Sequence, residues 1–172
     1  MRYSGLILND ITAAPGLCVS FFTQGCPHHC PGCHNPGTWA FDGGKEFTND
    51  TLHKILEGLT AQGIKRNLCI MGGEPLAWEN RWAVMQLIMD IKLVLPDTPI
   101  YIWTGYTYEE LQEEITSGLY PETELQWILE HIDVLIDGPY IQEQRDTTLL
   151  MRGSRNQRIL HLVGGKILNE IK

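Results

Sequence analysis

The chain has 172 residues, 43% of them hydrophobic and 20% charged. That length suits one compact domain and falls short of a complete eight-unit (β/α) barrel, which takes ~250 residues. Lys and Arg number 13 against 21 Asp and Glu, for a net charge of -8. This balance argues against a generic binder of nucleic acid or of an anionic membrane surface, and the composition excludes disorder and collagen-like repetition.

Taken in chain order, the N-terminus offers only the short apolar run Leu6-Ile7-Leu8 before Asn9 and Asp10. That is too short for a signal-peptide core, and no later stretch approaches the ~18 apolar residues of a membrane span. A cytoplasmic, reducing setting is expected, with neither membrane nor nucleic acid as partner. Cys18–Thr23 reads as a strand, followed by a cysteine-rich loop over about residues 24–40. A helix is predicted over Asn49–Gln62, with Leu52, Ile55, Leu56 and Leu59 on one face. Strand Asn67–Met71 ends at Gly72-Gly73, and a helix over Trp78–Leu95 runs to Pro96. Strand Ile100–Thr104, helices over Tyr108–Ser117 and Glu122–His131, strand Val134–Ile136 and an apolar run at Ile159–Val163 complete the pattern.

Strands alternating with helices across long crossovers predict an α/β fold, a parallel sheet with helical cover, formed as a single domain over residues 1–172. In such folds chemistry gathers at the carboxyl ends of the strands. Four strand ends carry unusual turns: Gln24-Gly25-Cys26, Gly72-Gly73-Glu74-Pro75, Thr104-Gly105-Tyr106 and Asp137-Gly138-Pro139. Each alone could be turn chemistry, but four on one edge predict one shared site. Charge is segregated too. Gly105 to Gln144 holds 10 acidic residues and no Lys or Arg, whereas the tail from Arg145 to Lys172 holds 6 basic and 2 acidic ones. The tail reads either as an ordinary solvated segment or as a basic strip facing an anionic ligand or partner, with Arg152 and Arg158 its expected contacts.

Cys26, Cys30 and Cys33 follow the first of these strands with the spacing C-x3-C-x2-C, while Cys18 and Cys69 sit in apolar runs and are expected in the core. Three thiolates on one short loop suit zinc or iron–sulfur chemistry. Zinc would take His28, His29 or His34 as a fourth ligand. A 4Fe-4S cluster on three cysteines would leave one iron open. A redox pair at Cys30-Pro-Gly-Cys33 would leave Cys26 unexplained. Spacing alone leaves zinc and iron–sulfur equally open.

The loop Gly25-Cys26-Pro-His-His-Cys30-Pro-Gly-Cys33-His-Asn-Pro36, paired with Gly72-Gly73-Glu74-Pro75-Leu76, resembles the radical S-adenosylmethionine (SAM) superfamily. Trp103-Thr-Gly-Tyr106, Val134-Leu-Ile-Asp-Gly138 and Arg152-Gly-Ser-Arg-Asn-Gln157 narrow the resemblance to the activating proteins of anaerobic (class III) ribonucleotide reductases.

This resemblance implies a partial, laterally open (β/α) barrel, its mostly parallel sheet covered by helices outside. It implies that Cys26, Cys30 and Cys33 hold three irons of a 4Fe-4S cluster and that SAM binds the fourth. Glu74 and the Gly72–Gly73 backbone would take the methionyl ammonium, and Gly32 and His34 would touch the nucleoside. Many superfamily members carry an aromatic residue at the position of Gly32. Thr104 and Asp137 become candidates for ribose or methionyl contacts, with a turn-capping role as the alternative for Asp137. The implied reaction takes one electron from an external donor such as flavodoxin and cleaves SAM to a 5′-deoxyadenosyl radical. That radical removes a Cα hydrogen from a glycine loop of the reductase large subunit. Activation of another glycyl-radical enzyme and a zinc-stabilised binding module are the competing readings.

Overall fold

The computed structural model describes residues 1–117 and 124–171. Its eight strands form one sheet: β1 (Arg2–Asp10), β2 (Cys18–Thr23), β3 (Lys45–Glu46), β4 (Asn67–Gly72), β5 (Ile100–Trp103), β6 (Val134–Asp137), β7 (Arg158–Val163) and β8 (Lys166–Ile171). Four α-helices lie among the described residues: α1 (Asn49–Thr60), α2 (Trp78–Val94), α3 (Tyr108–Thr116) and α4 (Glu124–His131). The spatial order is β3-β1-β2-β4-β5-β6-β7-β8. The expected helix over Glu122–His131 is observed from Glu124; Glu122 and Thr123 lie outside the described residues.

The sheet is mixed. Its centre, β2-β4-β5-β6, is parallel as the alternation predicts, and both flanks are antiparallel. Two of the antiparallel pairs, β1-β2 and β7-β8, have local connections. β7 and β8 form a hairpin through Gly164 and Gly165, whose φ angles of 54° and 76° suit a tight turn that only glycine adopts readily. Helix ends follow local chemistry. Thr107 and Glu110 form a reciprocal capping box at α3, with Thr107 N donating to Glu110 Oε2 at 2.7 Å and Glu110 N donating to Thr107 Oγ1 at 3.3 Å. α2 stops before Pro96, which cannot continue a helix.

Alternation along the central strands divides the sheet into two faces. Val19, Phe21, Leu68, Ile70, Ile100, Ile102, Leu135 and Leu160 join Ile55, Leu87, Leu111 and Ile128 of the helices in the main core. All four helices therefore pack on one face. The intervening residues form the opposite face, where Cys18 and Cys69 are fully buried with Met71, Tyr101 and Trp103. Val134, Ile136 and Ile159 extend that second layer. No described helix is long and apolar enough to cross a membrane.

Candidate metal centre

The second face opens into a cleft of about 870 Å³. Cys26, Cys30 and Cys33 line it, and all three are half-buried and free of disulfides. Their loop is fixed at its base. Gly25 N donates to Thr38 O at 2.8 Å and Cys26 N to Trp39 O at 3.0 Å. The buried Gln24 donates Nε2 to Gly37 O and Ala40 O, at 3.0 and 2.7 Å. Inside the loop, Cys33 N donates to Cys30 O, and Asn35 N donates to Cys33 Sγ at 3.4 Å. Burial pushes the Cys26 thiol up to about 11, with backbone N–H groups of His28 and His29 pulling the other way and the Glu74 charge adding to the rise. A metal binding there displaces that proton.

The three histidines do not complete a single-ion site with the thiols. His28 Nε2 donates to Glu74 Oε2 at 2.8 Å, and His29 packs edge-on against Trp39 with ring centroids 4.8 Å apart. Among the described residues, no three Cys, His, Asp or Glu side chains close on one ion. His34 also lines the cleft.

Glu74 is the hub of the strand ends. It is 1% exposed, and its carboxylate accepts four hydrogen bonds. Oε1 takes Leu76 N at 2.8 Å and Thr104 Oγ1 at 2.9 Å. Oε2 takes Gly105 N at 2.7 Å and His28. One carboxylate thus ties the β4 turn, the β5 turn and the cysteine loop together. Gly72 and Gly73 permit the same closeness. Gly72 has φ +105°, and a Cβ there would lie 2.8 Å from Phe22 Cα; one on Gly73 would lie 2.4 Å from Gly25 O. Gly32, at φ +74°, leaves room for the Gln142 carboxamide, which sits 2.0 Å from where a Cβ would be.

Cys26, Cys30, Cys33, Gly32, His34, Gly72, Gly73, Glu74 and Thr104 therefore share one cleft. Asp137 does not line it. Its buried carboxylate accepts Tyr108 N at 2.8 Å at the start of α3 and pairs with Arg158, whose Nε lies 3.0 Å from Oδ1. Asp137 thus makes a capping contact at the start of α3. Arg158 also spans to Glu109 at 2.6 Å, and these two carboxylates raise its pKa. Arg158 is not among the residues that line the cleft.

Two structural residues escaped the sequence reading. Asn80 of α2 is buried and donates Nδ2 to Gln24 O at 3.1 Å and to Glu74 O at 2.9 Å, fastening the cysteine loop to the β4 turn. Its signal was a polar residue on the buried side of an apolar helix. The ladder between Trp103 Nε1 and Met151 O, 2.7 Å, joins residues 48 apart and had no local signal.

A family model described as a 4Fe-4S single cluster domain matches residues 13–160. A Vibrio cholerae protein named anaerobic ribonucleoside-triphosphate reductase-activating protein is 39% identical over 160 residues, covering 92% of this chain and 97% of its own. This chain belongs to the anaerobic ribonucleoside-triphosphate reductase-activating protein family. Members bearing that name from Escherichia coli and Haemophilus influenzae are 34% and 36% identical, over 94% of this chain and 99% and 97% of theirs. In this family member the donor set fits an iron–sulfur cluster: soft thiols, a backbone N–H directed at one sulfur, and glycines at the walls.

Proposed function

We propose that this protein activates an anaerobic ribonucleotide reductase as a radical SAM enzyme, with Cys26, Cys30 and Cys33 holding three irons of a 4Fe-4S cluster and SAM completing the fourth. The observation that carries this reading is the opening of three free thiols and the buried Glu74 carboxylate onto one cleft. Bound together and reduced by one electron, the cluster and SAM supply a 5′-deoxyadenosyl radical able to take a Cα hydrogen from a glycine of the reductase large subunit.

The chain's own residues bind and position. Glu74 and the Gly72–Gly73 carbonyls offer acceptors for the methionyl ammonium, and on Oε2 the ammonium competes with His28. Gly32 and His34 border the nucleoside. Thr104 holds Glu74 in place through its hydroxyl, so its part in SAM binding is indirect. Helices on a single face and central strands in the sequential order β2-β4-β5-β6 support a partial (β/α) barrel, open on the side. That opening admits a protein segment, and the partner's own loop then excludes water from the cleft. Glycine suits as target because no Cβ shields its Cα.

The reading is tested by anaerobic reconstitution with iron and sulfide, followed by SAM, a one-electron reductant with flavodoxin as the candidate natural donor, and the reductase. A brown protein and a glycyl-radical signal by electron paramagnetic resonance are expected. A colourless protein with one zinc would overturn the proposal.

A further inference from the structure

Residues 144–155, between β6 and β7, fold into a short hairpin that lines the cleft together with the cysteine loop. Arg145 pairs with Ser154, Asp146 N donates to Gly153 O at 3.1 Å, and Arg155 N donates to Gln144 O at 2.9 Å. Gln157 fixes the base, accepting Gly153 N at 2.8 Å and donating to Gly138 O at 3.0 Å. The tip reaches the second layer, where Met151 and Trp103 pack against the Cys18–Cys69 cluster and the Met151 carbonyl accepts a hydrogen bond from Trp103 Nε1. Met151 has φ +56°, a left-handed conformation that is strained for a non-glycine residue and collects at functional positions. Beside it, Leu150 is 77% exposed.

Both arginines that line the cleft lie on this hairpin. Every carboxylate that lines the cleft is already engaged. Asp10 accepts from Thr12 and Ser20, Glu74 accepts four donors, and Asp146 pairs with Arg155 at 3.1 Å. Arg145 and Arg152 line the cleft as well, and neither meets a carboxylate among the described residues. Arg152 donates only to the carbonyls of Leu150 and Gln157, at 3.4 and 3.2 Å. Two cations without a carboxylate partner among the described residues thus line this cleft, in a chain whose net charge is -8.

We infer that this hairpin is the docking wall for the glycine-bearing segment of the reductase, and that the segment carries acidic side chains that meet Arg145 and Arg152 while an apolar residue covers Leu150. The inference rests on the activase reading above. A segment entering the cleft passes between the cysteine loop and the hairpin, so these residues meet the partner at the mouth. Local positive charge in an acidic protein steers an acidic segment to that mouth and away from the rest of the surface.

The test compares wild-type holoenzyme with the double variant Arg145→Gln/Arg152→Gln and with Leu150→Ala. Three quantities are measured: equilibrium binding of the reductase, glycyl-radical formation, and SAM cleavage to 5′-deoxyadenosine without reductase. The double variant should bind the reductase about tenfold more weakly, with a shallower dependence on salt, and its radical formation should fall in step. SAM cleavage without reductase should be unchanged in all variants, and Arg152→Lys should restore part of the binding. Unchanged reductase binding in both variants would overturn the inference. So would loss of SAM cleavage with reductase binding intact, which would assign the arginines to the SAM carboxylate. A wild-type protein that binds the reductase through these residues yet forms no glycyl radical would fault the activase reading and leave the docking wall standing.

Discussion

The two faces of the central sheet are built from alternate residues of the same strands, yet they do different work. On the helix face, Phe21, Leu68, Ile70, Ile100 and Ile102 are sealed by four helices into one apolar core. On the other face, the same strands carry Ser20, Cys69, Met71, Tyr101 and Trp103, of which Met71 and Trp103 line the cleft. The contrast shows how a small α/β chain separates stability from chemistry. Packing energy is concentrated where no ligand has to enter, and polar networks gather where backbone must approach a cofactor.

The largest break in this contrast is Cys30→Ala. It should abolish cluster assembly and deoxyadenosine formation while leaving the circular dichroism spectrum unchanged, since the thiol stabilises nothing on the helix face. Deoxyadenosine formed at the wild-type rate would remove Cys30 from the ligand set. Gly73→Ala should come next. Its Cβ would fall 2.4 Å from Gly25 O, so the β4 turn and the cysteine loop must part. Iron content after reconstitution should drop severalfold, and full iron loading would show that the loop adjusts without harm.

A core truncation sharpens the other side. Ile70→Ala should lose about 2–5 kcal/mol of unfolding free energy. Met71→Ala, one residue on and facing the cleft, should lose less than half as much because its side chain is only partly buried. Equal losses, measured by denaturant unfolding, would mean that the cleft face is packed as tightly as the core. Glu74→Ala should weaken SAM binding at least tenfold with the cluster retained, and should destabilise the fold by about 1–3 kcal/mol because buried donors are left unpaired. Cluster loss in this variant would show that the tie from Glu74 to His28 of the cysteine loop is needed to hold the cluster.

The smallest effect concerns acid stability. Burial pushes the Asp10 carboxyl up, but hydrogen bonds from Thr12 and Ser20 outweigh it and hold the pKa below the usual value of 3.8. A depressed folded-state pKa stabilises the protein above the unfolded value, and that stabilisation disappears as pH falls through it. Asp10→Asn should therefore flatten the loss of stability below about pH 4, as read from unfolding midpoints across pH. An unchanged slope would mean that Asp10 is no better held in the folded chain than in the unfolded one.

Much of this was legible in the sequence. The central strands and the helices were read within one or two residues of those ends that fall among the described residues, because their apolar periodicity and their Gly, Pro and Thr boundaries are local signals. The strand-end turns were read as one site for a topological reason: parallel strands with long crossovers bring their carboxyl ends to one edge. The flanking strands β1 and β8 were not read. Arg2–Asp10 is only partly buried and Lys166–Ile171 is a mostly exposed edge strand, neither with clean alternation, and their strand state comes from pairing with β2 and β3 and with β7. Asp137 and Arg158 illustrate the same limit, since 21 positions separate the members of that ion pair.

By itself the sequence determined the chemistry available: three thiols on one loop, a carboxylate after Gly-Gly, and a basic tail. Residue type and short spacing carry that information, because ligand softness and loop reach are local properties. Only the tertiary structure decided which groups remain free to act. It tied Glu74 into four hydrogen bonds, spent Arg158 on Asp137 and Glu109, and left Arg145 and Arg152 facing the cleft. Partnering of buried polar and charged groups depends on contacts between residues distant in the chain, and those contacts exist only once the sheet has assembled.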